Sequence, residues 1–178
     1  MESIYPPVNG EPQVYLRHFI IMPELWERFK CDDIPEADFN NWREVKMLDE
    51  HGKLSLDLEN IPNEYGGIYI YSIVPNVVKG CGSYIMYVGM ASKTPHENLR
   101  SRVKSYKYQM DDDYTRDRIH ELFSKWGNYV VVYYLPMDAD EETIQLLEDR
   151  LIACFLPPCN ADIRDVVVKR KVKAFGSF

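Results

Sequence analysis

Apolar positions change their period along the chain, and each change marks an element. Ile68 to Val74 is a nearly unbroken run of β-branched and aromatic residues, which predicts a strand. Pro75 to Ser83 holds Pro, Asn and two Gly and predicts a hairpin loop. Tyr84 to Val88, ended by Gly89, predicts the returning strand. The period then lengthens. Glu97 to Tyr108 reads as a helix with Leu99, Val103 and Tyr106 on its buried side, and Asp111 to Asp113 separates it from a second helix over Tyr114 to Trp126. Gly127-Asn128 ends that helix, and Tyr129 to Leu135 predicts a third strand. Asp138 is placed to cap the next helix, with Glu141 three residues on as in a capping box. This helix runs to about Phe155 and stops at Pro157-Pro158.

The N-terminal third is less regular. Residues 1–13 read as an extended arm, and Val14 to Met22 as a strand or a short buried segment. Pro23 fits the first turn of a helix to about Lys30. Pro35 to Met47 predicts a second helix with Phe39, Trp42, Val45 and Met47 as its apolar side, broken at His51-Gly52. The alternation of Leu54, Leu56 and Leu58 predicts a short strand. The expected architecture is α+β: a small, mostly antiparallel three-stranded sheet flanked by helices over 66–160, an N-terminal extension over 1–65 and a C-terminal basic tail over 161–178.

Composition alters this picture in two places. Hydrophobic residues make up 46% of the 178, with 13 tyrosines, which is enough for a packed core and excludes a disordered chain. The net charge of −7 argues against a nucleic-acid partner until it is located. Residues 1–60 carry 13 acidic and 6 basic side chains, and the remainder is balanced, 15 to 15. Within that balanced part, cations cluster at Arg100, Arg102, Lys104 and Lys107 and again from Lys169 to Lys173. Local patches attract phosphates, whatever the total charge. Cys31, Cys81, Cys154 and Cys159 form no Cys-x-x-Cys pair, and His18, His51, His96 and His120 are scattered. That spacing excludes a zinc cluster and predicts reduced thiols in a cytoplasmic protein. The longest apolar run, Tyr129 to Leu135, is too short to cross a membrane, and the first residues lack the pattern of a signal peptide.

Two charges fall on apolar faces. Glu148 shares the stripe of Ile144, Leu147, Leu151 and Phe155 on the last helix. Arg102 lies between Leu99 and Tyr106 on the buried side of the first helix of the module. A carboxylate turned inward is costly unless it is paired or binds a metal. Two explanations are open at this point: a buried Arg102–Glu148 ion pair, or a functional site. The strand tyrosines Tyr69, Tyr71, Tyr84 and Tyr87 have a plain explanation as sheet-packing residues.

Four motifs in order change that balance. Gly67-Ile68-Tyr69 opens the first strand, and Tyr87-Val88-Gly89 closes the second. Asn98 to Tyr106 carries Arg102 at its centre, and Glu148 precedes Pro157-Pro158-x-Asn160 by a short interval. Over residues 67–160 the chain resembles the GIY-YIG nuclease family, with Val88 replacing the isoleucine of the second motif. The resemblance implies a DNA endonuclease dependent on Mg²⁺ or Mn²⁺. Its extensions on both sides of the module are similar in layout to those of the family's restriction enzymes. Tyr69 would orient or deprotonate the attacking water, and Tyr87 and Tyr106 would complete the hydrogen-bond network. Arg102 would clamp the phosphate, Glu148 would hold the metal, and Asn160 would hold Glu148 or the phosphate in place. Met90 stands where the family often has lysine, so Lys93 or a neighbour takes over that charge. Arg100, Lys104 and Lys107 are the further phosphate candidates. Double-stranded DNA is the implied substrate and a homodimer the implied assembly, with residues 1–65 serving dimerisation or DNA recognition. The alternative is a decayed module that binds DNA or assembles without cutting it. A third reading is an RNA nuclease or toxin-like enzyme.

Overall fold

The computed structural model describes residues 17–75, 77–78, 82–110 and 117–175, with backbone alone at Phe39, residues 107–110, Asp117 and Phe175. The arm at 1–13, Cys81, the acidic stretch Asp111 to Asp113 and the Lys107 side chain lie outside the described residues. Among the described residues the chain is α+β, with five helices and one four-stranded antiparallel sheet.

The sheet is built on the hairpin that the β-branched runs predict. β2 (Gly66–Ile73) pairs with β3 (Tyr84–Ala91), and Tyr69 faces Gly89 while Tyr71 faces Tyr87. A bulge between Tyr71 and Ser72 leaves Met86 without a partner, so Met86 and Tyr87 both pack on the same core. β4 (Val130–Met137) pairs with β2 on its other side.

The fourth strand corrects the N-terminal reading. Arg43–Lys46 is β1, antiparallel to β4, and not the end of a helix. Only 3₁₀ turns at Pro35–Ala37 and Phe39–Asn41 remain of the expected helix. The physical reason is the open edge of β4, whose backbone groups need partners. Val45 and Met47, both buried, are two residues apart, the period of extended chain. Leu54 to Leu58 is not a strand either. Leu54 makes one bridge to Leu48, and Leu56–Asn60 forms a 3₁₀ turn capped by Ser55. Leu58 is buried while Leu56 is exposed. Residues 17–22 carry no strand, although Met22 is buried.

Helices cover both sheet faces. α2 (Leu99–Met110) and α3 (Asp117–Trp126) pack with Tyr69, Tyr71 and Val132 on one face. α4 (Glu141–Phe155) packs with Ile68, Ile70 and Val88 on the other. Asp140 caps α4, accepting from Thr143 N at 2.8 Å. The expected cap, Asp138, comes too early because β4 extends through Met137. Ile152 takes the buried place expected of Phe155, which is 41% exposed. α1 (Pro23–Arg28) and α5 (Val166–Phe175) join the end of α4 in a small core of Met22, Leu25, Ala153, Leu156 and Val168. The stretch expected as a basic tail is therefore helical over Val166–Phe175.

Gly67 has the least room for a Cβ of the three sheet glycines Gly66, Gly67 and Gly89. Its φ is +141°, and a Cβ there would lie 2.0 Å from the Leu135 carbonyl oxygen. Gly67→Ala is expected to cost at least about 2 kcal/mol in chemical denaturation, the scale of a strained backbone position plus overpacking. Unchanged stability would show that β2 and β4 are not paired in this register.

Candidate active site

β3 is an edge strand, and its free side is where the functional candidates meet. The sheet order is β1-β4-β2-β3. Tyr69, Tyr87, Tyr106 and Arg102 belong to the face covered by α2, while Glu148 comes from α4 on the opposite face. They meet around the β3 edge, where Tyr87 and Glu148 line one cleft of about 580 Å³.

Three phenols form a chain behind that cleft. The Tyr106 hydroxyl lies 2.7 Å from that of Tyr69 and 3.0 Å from that of Tyr87. Gly89 makes this possible, since a Cβ there would sit 2.4 Å from the Tyr69 hydroxyl. Tyr69 is fully buried, and Tyr87 is the member of the chain that lines the cleft. Burial, reinforced by the neighbouring phenols, pushes the Tyr69 pKa well above the usual tyrosine value. Tyr69 thus stays protonated and acts as a hydrogen-bonding group. Tyr71 serves packing, with its hydroxyl donating to the Val103 carbonyl at 3.3 Å.

Arg102 stands over the Tyr106 ring, 5.9 Å from its centroid. Burial alone would lower its pKa, but the Tyr69 and Tyr106 oxygens outweigh that effect and hold it above the arginine norm. Its nearest acid is Glu97 at 3.5 Å. Its Nε is buried without an acceptor. An unsatisfied buried donor costs about 1–3 kcal/mol, so the position is expensive for an arginine with a structural role only.

Glu148 is buried, with only 12% of its side chain exposed. It makes no ion pair with Arg102 among the described residues. Its cationic partner is Arg164, at 3.8 Å, and Arg164 also pairs with Asp149 at 3.0 Å. Burial raises the Glu148 pKa. Arg164, the Met90 N–H and Arg102 pull it down but do not cancel the shift, and Asp149 adds to it. Such a carboxylate suits a divalent cation held by one protein oxygen and completed by water and phosphate. In this structure the positive charge beside it is that of the half-exposed Arg164. Among the described residues no group of three or more His, Cys, Asp or Glu forms a metal cluster.

Of the remaining candidates, Asn160 lines the same cleft, while Arg100, Lys104 and Lys93 do not. Asn160 reaches neither Glu148 nor an open anion position. Its Oδ1 accepts from Val88 N at 2.9 Å, and its Nδ2 donates to Val88 O at 2.8 Å. It is a positioning residue that docks the turn after α4 on the β3 edge. Arg100 and Lys104 both pair with Glu59. The Lys93 ammonium donates to the Asn63 carbonyl at 2.8 Å. Arg118 and Arg164, which line the cleft, escape sequence reasoning because neither breaks an apolar stripe. No family model, curated protein or solved structure matches the chain.

The raised Glu148 pKa has a consequence for stability. Its folded pKa exceeds the unfolded value, so ionisation disfavours the fold as pH rises through that window. Glu148→Gln should melt above the wild type at pH 8. The gap should close as pH falls below the ordinary glutamate value of about 4.3. A lower melting temperature for the variant at pH 8 would mean that Arg164 over-compensates the burial.

Proposed function

We propose that the chain is a divalent-metal-dependent DNA endonuclease of the GIY-YIG type. The observation that carries this reading is the common cleft of Tyr87 and Glu148, with the Tyr106 and Tyr69 phenols hydrogen-bonded in series to Tyr87 and the Arg102 guanidinium within electrostatic reach of Glu148. Residues from four separate elements and both sheet faces converge there, and the buried Glu148 and the part-buried Arg102 do not pair with each other.

Phosphodiester hydrolysis needs an oriented water, a cationic clamp and stabilisation of the leaving oxygen. Tyr87 is the phenol exposed to the cleft and would hold the attacking water by a hydrogen bond. Tyr106 and Tyr69 fix its orientation from behind. A free phenol is only about 0.1% ionised at neutral pH, and burial lowers that fraction further at Tyr69, so these residues position and relay protons. Arg102 keeps its charge and presents a planar fork suited to phosphate oxygens. Glu148 would hold Mg²⁺ or Mn²⁺, which when bound supplies positive charge to the phosphate and the leaving oxygen. Arg164 would move aside for that cation. On this reading the substrate is double-stranded DNA, and a cut of both strands calls for a homodimer. No helix among the described residues is long and apolar enough to cross a membrane.

A second reading has one observation in its favour. Arg164 already neutralises Glu148, as in a decayed module that binds DNA without cutting it. Incubation with supercoiled plasmid and Mg²⁺ or Mn²⁺, beside an RNA substrate, separates the readings. The wild type is expected to nick the plasmid. Glu148→Ala and Arg102→Ala are each expected to lose about 10²–10³-fold in rate, the scale for removing one group that stabilises the transition state. Their folds should stay intact by circular dichroism. DNA binding without nicking by the wild type supports the decayed module, and full activity in either variant overturns the proposed site.

A further inference from the structure

The cations that the sequence offers for the DNA backbone are largely engaged. Arg100 and Lys104 face Glu59, and Lys93 faces a backbone carbonyl. In the cleft itself, Arg164 is balanced by Glu148 and Asp149, and the Asp162 carboxylate pairs with Lys169. A phosphate entering there would meet three carboxylates whose counter-charges are already in place.

Arg118 is different. It sits at the start of α3, is exposed and lines the same cleft as Tyr87 and Glu148. Its Nη1 donates to the Asn160 carbonyl at 3.0 Å and to the Pro158 carbonyl at 3.4 Å. It forms no ion pair among the described residues. A guanidinium has five donors, and those two bonds involve one nitrogen. The Nε–Nη2 edge remains for an acceptor, in the geometry that grips two oxygens of one phosphate. The carbonyls that aim Arg118 belong to the turn pinned to Val88 by Asn160. The cation is therefore held fixed relative to the β3 edge.

Resting on the nuclease reading above, we propose that Arg118 is a second phosphate-binding cation of the cleft, gripping the backbone phosphodiester next to the one that is cut. Arg102 then holds the reacting phosphate from behind the tyrosines, and Arg118 holds its neighbour from the α3 side.

The test is binding of a short fluorescent DNA duplex by the full chain across a NaCl series, with Ca²⁺ in place of Mg²⁺. Each phosphate contact contributes about 0.9 to the slope of log K against log salt. Arg118→Gln is expected to bind several-fold more weakly, with a slope shallower by about one contact. Arg118→Lys should recover most of the slope, which a variant that only loosens the Pro158–Asn160 turn would not do. Arg43→Gln, on the opposite edge strand, should keep the wild-type slope. Circular dichroism checks that each variant is folded. A slope for Arg118→Gln equal to that of the wild type overturns the assignment while leaving plasmid nicking, and with it the nuclease reading, intact. A wild type that neither binds duplex at low salt nor nicks plasmid overturns both.

Discussion

The free edge of β3 is the constraint from which the rest of the site follows. An edge strand carries backbone N–H and C=O groups without a neighbouring strand. At Val88 both groups are taken by a single side chain, the Asn160 amide, and one step along the edge Cys159 N donates to Met86 O at 2.9 Å. Each such bond contributes only about 0.5–1.5 kcal/mol net, but leaving those groups buried and unpaired would cost more. The chain reaches this position because Leu156 takes a left-handed conformation, φ 46°, and turns the backbone out of α4. With both α4 and the turn after it fixed on β3, Glu148 has little freedom. Its carboxylate ends beside the Met90 N–H, two residues from the Val88 bonds.

Burial and pairing on the two sides of that edge are unequal, and this inequality gives the cleft its chemistry. Buried opposite charges normally meet, because each ion loses hydration and only a close partner offsets the loss. Arg102 and Glu148 are near enough to influence each other, yet each has a different, looser partner, Glu97 at 3.5 Å and Arg164 at 3.8 Å. The tyrosines account for part of this arrangement. The Tyr69 and Tyr106 side chains stand against the guanidinium. A structural ion pair would have closed the gap. The open arrangement leaves the two charges only loosely compensated within the chain, and on the reading proposed above a metal-bound phosphate ester would supply both opposite signs.

Much of this was legible in the sequence, and the failures share a cause. The inward placement of Glu148 and Arg102 follows from helical spacing alone, since both sit in amphipathic helices whose period is unambiguous. The β2–β3 hairpin follows from β-branched runs and turn residues. Residues 35–47 misled because Trp42, Val45 and Met47 fit a helical stripe about as well as an extended one, and the deciding influence, the vacant edge of β4, lies some ninety residues away. Asn160 was legible as an important position but not in its role. Its sequence position tells that it follows a Pro-Pro turn, and not that the β3 edge lies within reach. Arg118 had no signal at all, because an arginine beside an apolar stripe is the ordinary surface of a helix.

The acidic N-terminal third finds its explanation in the same geometry. Glu59 neutralises Arg100 and Lys104, and Asp33 pairs with Arg150 of α4. Part of the excess negative charge of residues 1–60 thus serves to dock that segment on the helices of the module. The same pairing engages Arg100 and Lys104 beside α2, whereas Arg118 in the cleft beside β3 has no acidic partner among the described residues. On the reading proposed above, a polyanion approaching a chain of net charge −7 would meet overall repulsion and depend on local cations for contact. On the nuclease reading proposed above, a net-negative chain with Arg118 and Arg164 at the cleft would restrict where a DNA backbone comes to rest.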